Sequence, residues 1–374
     1  MNLSYWERKS WFTDIDFAII GSGIVGLSCA LSLRKKYPKH KIVVFEKGML
    51  PSGASTKNAG FACFGSLSEI LDDLKTHSEK EVVSLVKKRM DGLRLLRNTL
   101  GDANLEYQEN GGYELFTKEN EDLFEACYHQ MSYVNDLLKP VFKDTIFSVS
   151  ANNFGFGNVH PKLIFNQFEG QIDTGKMMLG LVKKASEASI LIVNAAEITS
   201  LSEEEKEVRF RLNHSEEISA KNILIATNGF AKQLLKEDVQ PARAQVLITK
   251  PIKNLHIKGT FHLDKGYYYF RNIDNRILFG GGRNLDFKSE ETTKTGLTTI
   301  VQDRLEEILR TTILPNTPFE IDHRWSGIMG VGQQKKPIVK QLSERIYCGV
   351  RLGGMGVAIG SSIGDELAKL TWKT

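Results

Sequence analysis

Between Asp16 and Leu33 the sequence reads DFAIIGSGIVGLSCALSL, which sets Gly21, Gly23 and Gly26 directly after one apolar run and at the head of another. The first run has the length of a buried strand and the second that of a helix, so the glycines fall in a strand-to-helix turn. Gly21 permits the tight turn, Gly23 lets backbone approach a pyrophosphate, and Gly26 lets helix and strand pack closely, with Ile24 and Val25 opening the helix. The unpaired N–H groups and positive dipole end of such a helix attract an anion without a basic side chain. A second apolar strand, KIVVFE, ends in Glu46, about twenty residues beyond the last glycine, where a carboxylate accepts hydrogen bonds from a ribose. Lys47 follows it. An acid at this place repels a 2′-phosphate, so NADP is disfavoured.

At 374 residues the chain is long enough for two domains. Its 49 basic and 45 acidic residues leave a net charge of +4, too small to imply a nucleic-acid or membrane partner. The four cysteines, Cys29, Cys63, Cys127 and Cys348, show no disulfide or metal spacing, and a reduced, cytoplasmic setting is expected. The uncharged run from Phe17 to Leu33 is too short and glycine-rich to span a bilayer and lacks the flanks of a secretory signal. The aromatics of the segment before it are expected to pack onto the body.

After Glu46 comes the loop GMLPSGASTKNAGFACFGS, followed by helical periodicity from Leu67 to Leu100, a strand at GGYELFT and a helix from Asn120 to Leu138. A strand at ILIV, a hairpin turning at SEEEKE and a buried strand in ISAKNILIATNGF follow. A run of antiparallel strands then includes GYYYFR and RILFGGG, with a polar turn at Asn272 to Asn275 and a helix from Thr292 to Leu309. IDHRWSGIMG and RIYCGV read as strands, and RLGGMGVAIGSSIGDELAKL as a glycine-rich entry into the last helix. The fold class is therefore α/β with an α+β second part: a Rossmann-like nucleotide domain interleaved with an antiparallel-sheet substrate domain. The expected boundaries are 1–66, 145–235 and 320–374 for the nucleotide domain, and 67–144 and 236–319 for the substrate domain.

Taken in order, IIGSGIVGLSCALSL, Glu46, GASTKNAG, NILIATNGF, PARAQ, WSGIMG and GGMGVAIG resemble the FAD-dependent D-amino acid oxidase superfamily, which includes glycine oxidase and sarcosine oxidase, over nearly the whole chain. The resemblance implies FAD held by Gly21, Gly23 and Gly26 at the pyrophosphate and by Glu46 at the adenosine ribose. It implies Ser55, Thr56, Lys57, Asn58, Ala59 and Gly60 along the phosphates, ribityl chain and ring edge, although the same residues suit a turn stabilised by its own side chains. Glu197 and Ile198 would lie near adenine, and Thr227 and Asn228 further along the nucleotide; each also reads as strand-end structure. Gly353, Gly354, Met355, Gly356 and Val357 would set backbone N–H groups beside the flavin pyrimidine ring.

The implied activity is oxidation of an amine or amino acid at a carbon–nitrogen bond by hydride transfer to flavin N5. In strand geometry Tyr267, Tyr269 and Arg271 share one face, which can bind a carboxylate and wall a pocket, while Tyr268 and Phe270 take the other; an ordinary amphipathic strand gives the same pattern. Glycine oxidase-like members carry a carboxylate-binding arginine just after their Trp-x-Gly strand, and here Met329 stands there, leaving Arg271, Arg324 or Arg351 as substitutes. Sarcosine oxidase-like members attach flavin through a cysteine that GIMGVGQQKKPIV lacks, so the FAD is expected to be non-covalent. Lys57 is a candidate positive charge near the flavin, and His160 and His323 are lone histidines in segments of interest. Two other classes stay open: a NAD-dependent dehydrogenase and an accessory, non-catalytic FAD-binding subunit. The exact substrate, the electron acceptor and the oligomeric state are left undetermined.

Overall fold

In the computed structural model, which describes residues 3–372, the apolar runs build two eight-stranded sheets. The first sheet has a parallel centre in which Ile346–Val350, Glu216–Ile225, Ile15–Ile20, Ile42–Phe45 and Leu191–Val193 lie side by side. Ile346–Val350 pairs antiparallel with the edge strand Ile338–Gln341, and the hairpin strands Ile198–Glu203 and Val208–Leu212 extend Glu216–Ile225. Strands buried on both faces need continuous apolar sequence, and Ile15–Ile20 and Ile42–Phe45 supply it. The register sets Ile20 opposite both Phe45 and Ile225, so Gly21, Glu46 and Ala226 follow at one level, on the carboxyl edge of the sheet.

On one face the helices Ile24–Lys36, Thr174–Glu187 and Gly356–Lys369 share a core with the sheet, including Leu27, Leu181 and Ile363. The long helix Glu79–Leu100 joins that core through Leu93, Leu96 and Leu100 and packs against Gly356–Lys369. On the other face Phe45, Phe210 and Ile225 close a second core with the hairpin.

The second sheet runs in the order Ile321–Val331, Gln240–Thr249, Arg276–Gly281, Tyr268–Ile273, Thr260–Leu263, Gly112–Leu115, Lys162–Asn166, Phe147–Ala151. Its pairings are antiparallel except between Thr260–Leu263 and Gly112–Leu115. One face is an aromatic core in which Phe261 and Phe270 stack at 4.6 Å between centroids and Val301 and Leu305 of the helix Thr299–Ile308 cover them. That helix starts at Thr299 rather than Thr292, because the residues before it hold an irregular course between Glu290 and Thr298.

The expected domain boundaries shift. Phe147–Ala151, Lys162–Asn166 and Ile321–Val331 belong to the second sheet, the last pairing along its whole length with Gln240–Thr249. The helix Glu79–Leu100, expected on the substrate side, packs on the nucleotide core. At the amino end Phe12 reaches Phe45, while Tyr5 and Trp6 are each 67% exposed, so the arm is anchored by one ring rather than by all of its aromatics. All four cysteines are free and buried, and among the described residues no helix is long and apolar enough to cross a membrane.

Candidate active site

The glycine turn is enforced by contact. Gly21 adopts φ +104° with its carbonyl against Gly26, where a Cβ would lie 1.8 Å from that oxygen. Any side chain at 26 would push the helix off the strand. Glu46 closes the turn from the next strand: its Oε2 accepts from Ser22 N at 3.1 Å and Ser22 Oγ at 2.6 Å, and its Oε1 from Gly48 N at 2.9 Å. Lys47 pairs with Glu197 at 3.2 Å on the surface, and Ile198 is buried in the hairpin core. Glu197 thus has a partner of its own at the place expected near adenine.

In the 54–60 loop most polar side chains are occupied within the protein. Ser55 Oγ accepts from Ile24 N at 3.0 Å, Thr56 Oγ1 donates to the Pro51 carbonyl, and Asn58 donates to Ser55 O at 2.7 Å while accepting from Gly60 N at 2.8 Å. These bonds fix the loop as a self-stabilised turn against the first helix. Lys57, Asn58, Ala59 and Gly60 then present its edge to a cavity.

That cavity, of about 380 Å³, lies where the two sheets meet. Its walls include Phe61 and Ala59 from the loop, Tyr267 and Tyr269 from the second sheet, Met329 from the Trp-x-Gly strand, and the tail from Leu352 to Met355 with Val357. Asn228 holds the tail's approach, its Oδ1 accepting from Arg351 N at 3.1 Å and Leu352 N at 3.2 Å. The expected role of Asn228 along a nucleotide is narrowed, since its amide oxygen is already taken up by backbone.

Arg271 is also corrected. Its guanidinium is buried beneath the loop, where Nε donates to the Ala59 carbonyl and Nη2 to Ile172 O at 2.9 Å, and burial pushes its pKa down to about 10. Arg271 is absent from the cavity wall shared by Tyr267 and Tyr269, because the loop packs over that end of the strand. Arg324 reaches Glu306 and Gln302, and Arg351 pairs with Asp238 at 2.9 Å. His160 stacks on Phe124 at 3.9 Å and His323 on Trp325 at 5.8 Å, both away from the cavity.

One group carried no sequence signal. His262, buried in Thr260–Leu263, lines the cavity with its Nε2 2.9 Å from Glu169 Oε2, which also accepts from Thr260 Oγ1 at 2.7 Å. Burial disfavours the imidazolium, but the Glu169 carboxylate, joined by Glu69 and Glu114, outweighs it and the pKa rises to about 9. Burial lifts Glu114 to about 7 against hydrogen bonds from Ser68. Cys63 lies within 4.8 Å of the His262 and Glu169 donor atoms, and burial raises its thiol well above the ordinary range. The protonated ring and the neutral thiol both hold protons that a metal would have to displace.

The residues present fit an extended dinucleotide. Among the described residues Thr227 Oγ1, just past the strand beside Gly21, is buried without a partner. The residues preceding the helices Ile24–Lys36 and Gly356–Lys369 supply no side-chain cap, and Ser55 Oγ takes only Ile24 N of the first, whereas Ser66, Ser78 and Asp173 cap their own helices. Around Gly353 and Gly354 an added Cβ would meet nothing within 4 Å, so the tail backbone faces open space.

The sequence profile of the DAO family, FAD dependent oxidoreductase, matches residues 16–370. The chain belongs to this family and is an FAD-dependent oxidoreductase, which sets aside the NAD-dependent alternative. No curated protein sequence matches it. Among solved structures, glycine oxidase from Geobacillus kaustophilus is similar at a TM-score of 0.74 and 19% identity, over 95% of this chain and 94% of that one. L-Proline dehydrogenase from P. horikoshii is similar at 0.74 and 18%, over 96% and 93%. Iminodiacetate oxidase from Chelativorans sp. BNC1 follows at 0.73 and 17%, over 95% and 94%. These likenesses are of fold.

Proposed function

We propose that the protein oxidises a carbon–nitrogen bond of an amine or amino acid, with non-covalent FAD as the acceptor of the hydride. The observation that carries this reading is the cavity between the sheets, which joins the glycine-rich tail to an aromatic wall. Bound FAD supplies a two-electron acceptor, so the protein needs no strong general base and its task is positioning.

In this reading Gly21, Gly23 and Gly26 admit the pyrophosphate, Thr227 Oγ1 gains the partner it lacks, and Glu46 braces the turn beside the ribose. The Val25 N–H at the head of the first helix, whose neighbour Ile24 N–H is taken by Ser55 Oγ, would face the phosphates, and the tail from Gly353 to Val357 would offer backbone N–H groups to stabilise negative charge on the flavin. Tyr267, Tyr269, Phe61 and Met329 exclude water and confine the substrate. His262 stands at the same cavity with its charge balanced by the Glu169 carboxylate. The open cavity walled by Tyr267, Tyr269 and Met329 favours this activity over an accessory subunit.

The test is a purified protein carrying one FAD released by denaturation, bleached anaerobically by members of an amine and amino acid panel and recolouring in air at a rate that separates oxidase from dehydrogenase. Bleaching by none of the panel would defeat the proposal.

A further inference from the structure

Three strands bring one cluster of side chains to the cavity wall. The short strand Phe61–Ala62 pairs antiparallel with Gly170–Gln171, with Ala62 opposite Gly170, so the next residues along, Cys63 and Glu169, fall side by side. Glu169 then reaches into the second sheet. At Gly112 an added Cβ would lie 2.0 Å from Glu169 Oε2, so the carboxylate fills the space that this glycine leaves beside Thr260. Thr260 and His262 share a face of their strand, and both bond to that oxygen, at 2.7 and 2.9 Å. The Cys63 sulfur, a Glu169 oxygen and a His262 ring nitrogen thereby lie within 4.8 Å of one another, all in buried residues.

That spacing fits a coordination sphere. Around a tetrahedral zinc ion, with nitrogen and oxygen at about 2.0 Å and sulfur at about 2.3 Å, donor atoms stand about 3.3 to 3.6 Å apart. Glu169 and His262, now 2.9 Å apart, need to part by only about 0.4 Å. A thiolate, an imidazole and a carboxylate make a zinc donor set, and three protein ligands leave a fourth position open. Cys63 and His262 both line the cavity, so the open position faces it. The Met355 thioether, 3.6 Å from Cys63 Sγ, gives this corner a second soft sulfur. The surrounding charge also suits a cation, since the carboxylates of Glu169, Glu69 and Glu114 act on His262 against the single guanidinium of Arg89 acting on Cys63. Thr260 Oγ1 fixes the Glu169 carboxylate, as an outer hydrogen bond fixes a metal ligand.

We propose that Cys63, Glu169 and His262 form a binding site for a divalent cation of the zinc type, open to the cavity at its fourth position. The thiol and ring protons pass to solvent as the ion enters, and two metal bonds replace the hydrogen bond between Glu169 and His262. The open position then takes water or a donor atom of whatever enters the cavity.

The experiment takes FAD-loaded protein freed of metal by a chelator, dialyses it against Zn2+ and, separately, titrates it with Co2+. Wild type retains about one zinc per chain, and cobalt gives the thiolate-to-metal charge-transfer absorption in difference spectra against the same flavoprotein. Cys63→Ala loses that absorption and weakens zinc binding about 100-fold or more, and Thr260→Val, which frees the Glu169 carboxylate to turn, weakens it about 10-fold. Cys348→Ala, in the core on the hairpin side of the first sheet, binds as wild type does. All variants are compared at equal FAD content and equal far-UV dichroism. Folded wild-type protein that retains no zinc, a cobalt complex without thiolate absorption, or Cys63→Ala that binds zinc as tightly as wild type would overturn the site.

Discussion

The two sheets build their shares of the site by different means. On the parallel sheet the work is done by backbone: Gly21 and Gly26 in contact, helix starts whose preceding residues bring no capping side chain, and a tail whose glycines face open space. On the antiparallel sheet it is done by side chains, Tyr267, Tyr269, His262 and Arg283, of which Tyr269 and His262 rest on neighbours distant in sequence, Phe61 and Glu169. Recognition of a shared cofactor can rest on main-chain geometry common to many sequences, whereas selection of one substrate must rest on side chains.

Gly26→Val breaks this contrast most severely if it is right. A side chain there meets the Gly21 carbonyl, so FAD retention is lost and stability falls by about 3 to 5 kcal/mol in urea unfolding. Yellow, stable variant protein would show that the backbone contact is dispensable. Arg271→Met tests the other sheet. It leaves the Ala59 and Ile172 carbonyls buried without their donor, lowering stability by about 2 kcal/mol and loosening the loop, with little change in substrate KM for the flavin that remains bound. A large rise in KM at full stability would return Arg271 to substrate binding.

A pH scan sharpens the comparison within the side-chain half. His262 is raised from 6.5 to about 9 in the fold, so its ion pair with Glu169 stabilises fully below about pH 6.5 and the contribution disappears as pH climbs through 9. Glu114, raised from 4.5 to about 7, costs stability as pH rises to about 7 and adds no further slope above it. The Tm is therefore expected to decline between pH 7 and 9, and His262→Asn to flatten that decline; an unchanged slope in the variant would assign it to other groups. The smallest effect is Glu197→Gln, which removes an exposed pair with Lys47 and shifts stability by less than about 1 kcal/mol. A larger loss, or weakened FAD binding, would make this surface pair part of the nucleotide site.

The parallel half could be read in the sequence because its signals are local. GSGIVG, Glu46 and GGMGVAIG each specify a turn through residues within a few positions, and the structure gives each turn in the expected element. The domain boundaries near 145 and 320 were less readable, since a strand such as Ile321–Val331 shows its alternation but not which sheet will accept it. Strand alternation likewise put Tyr267, Tyr269 and Arg271 on one face, and only the loop over Arg271 removed it from the cavity. Asn228 gave the same appearance of a ligand contact and serves the backbone of the tail.

By itself the sequence determined the strand-turn-helix at the amino end, the order of elements and the kind of cofactor that the glycines admit, because steric exclusion at a backbone acts over a few residues. Only the tertiary structure decided which charges face the cavity. His262 meets Glu169 across 93 residues and Arg271 meets Ala59 across 212, and a partner so far along the chain is chosen by packing, which no local pattern encodes.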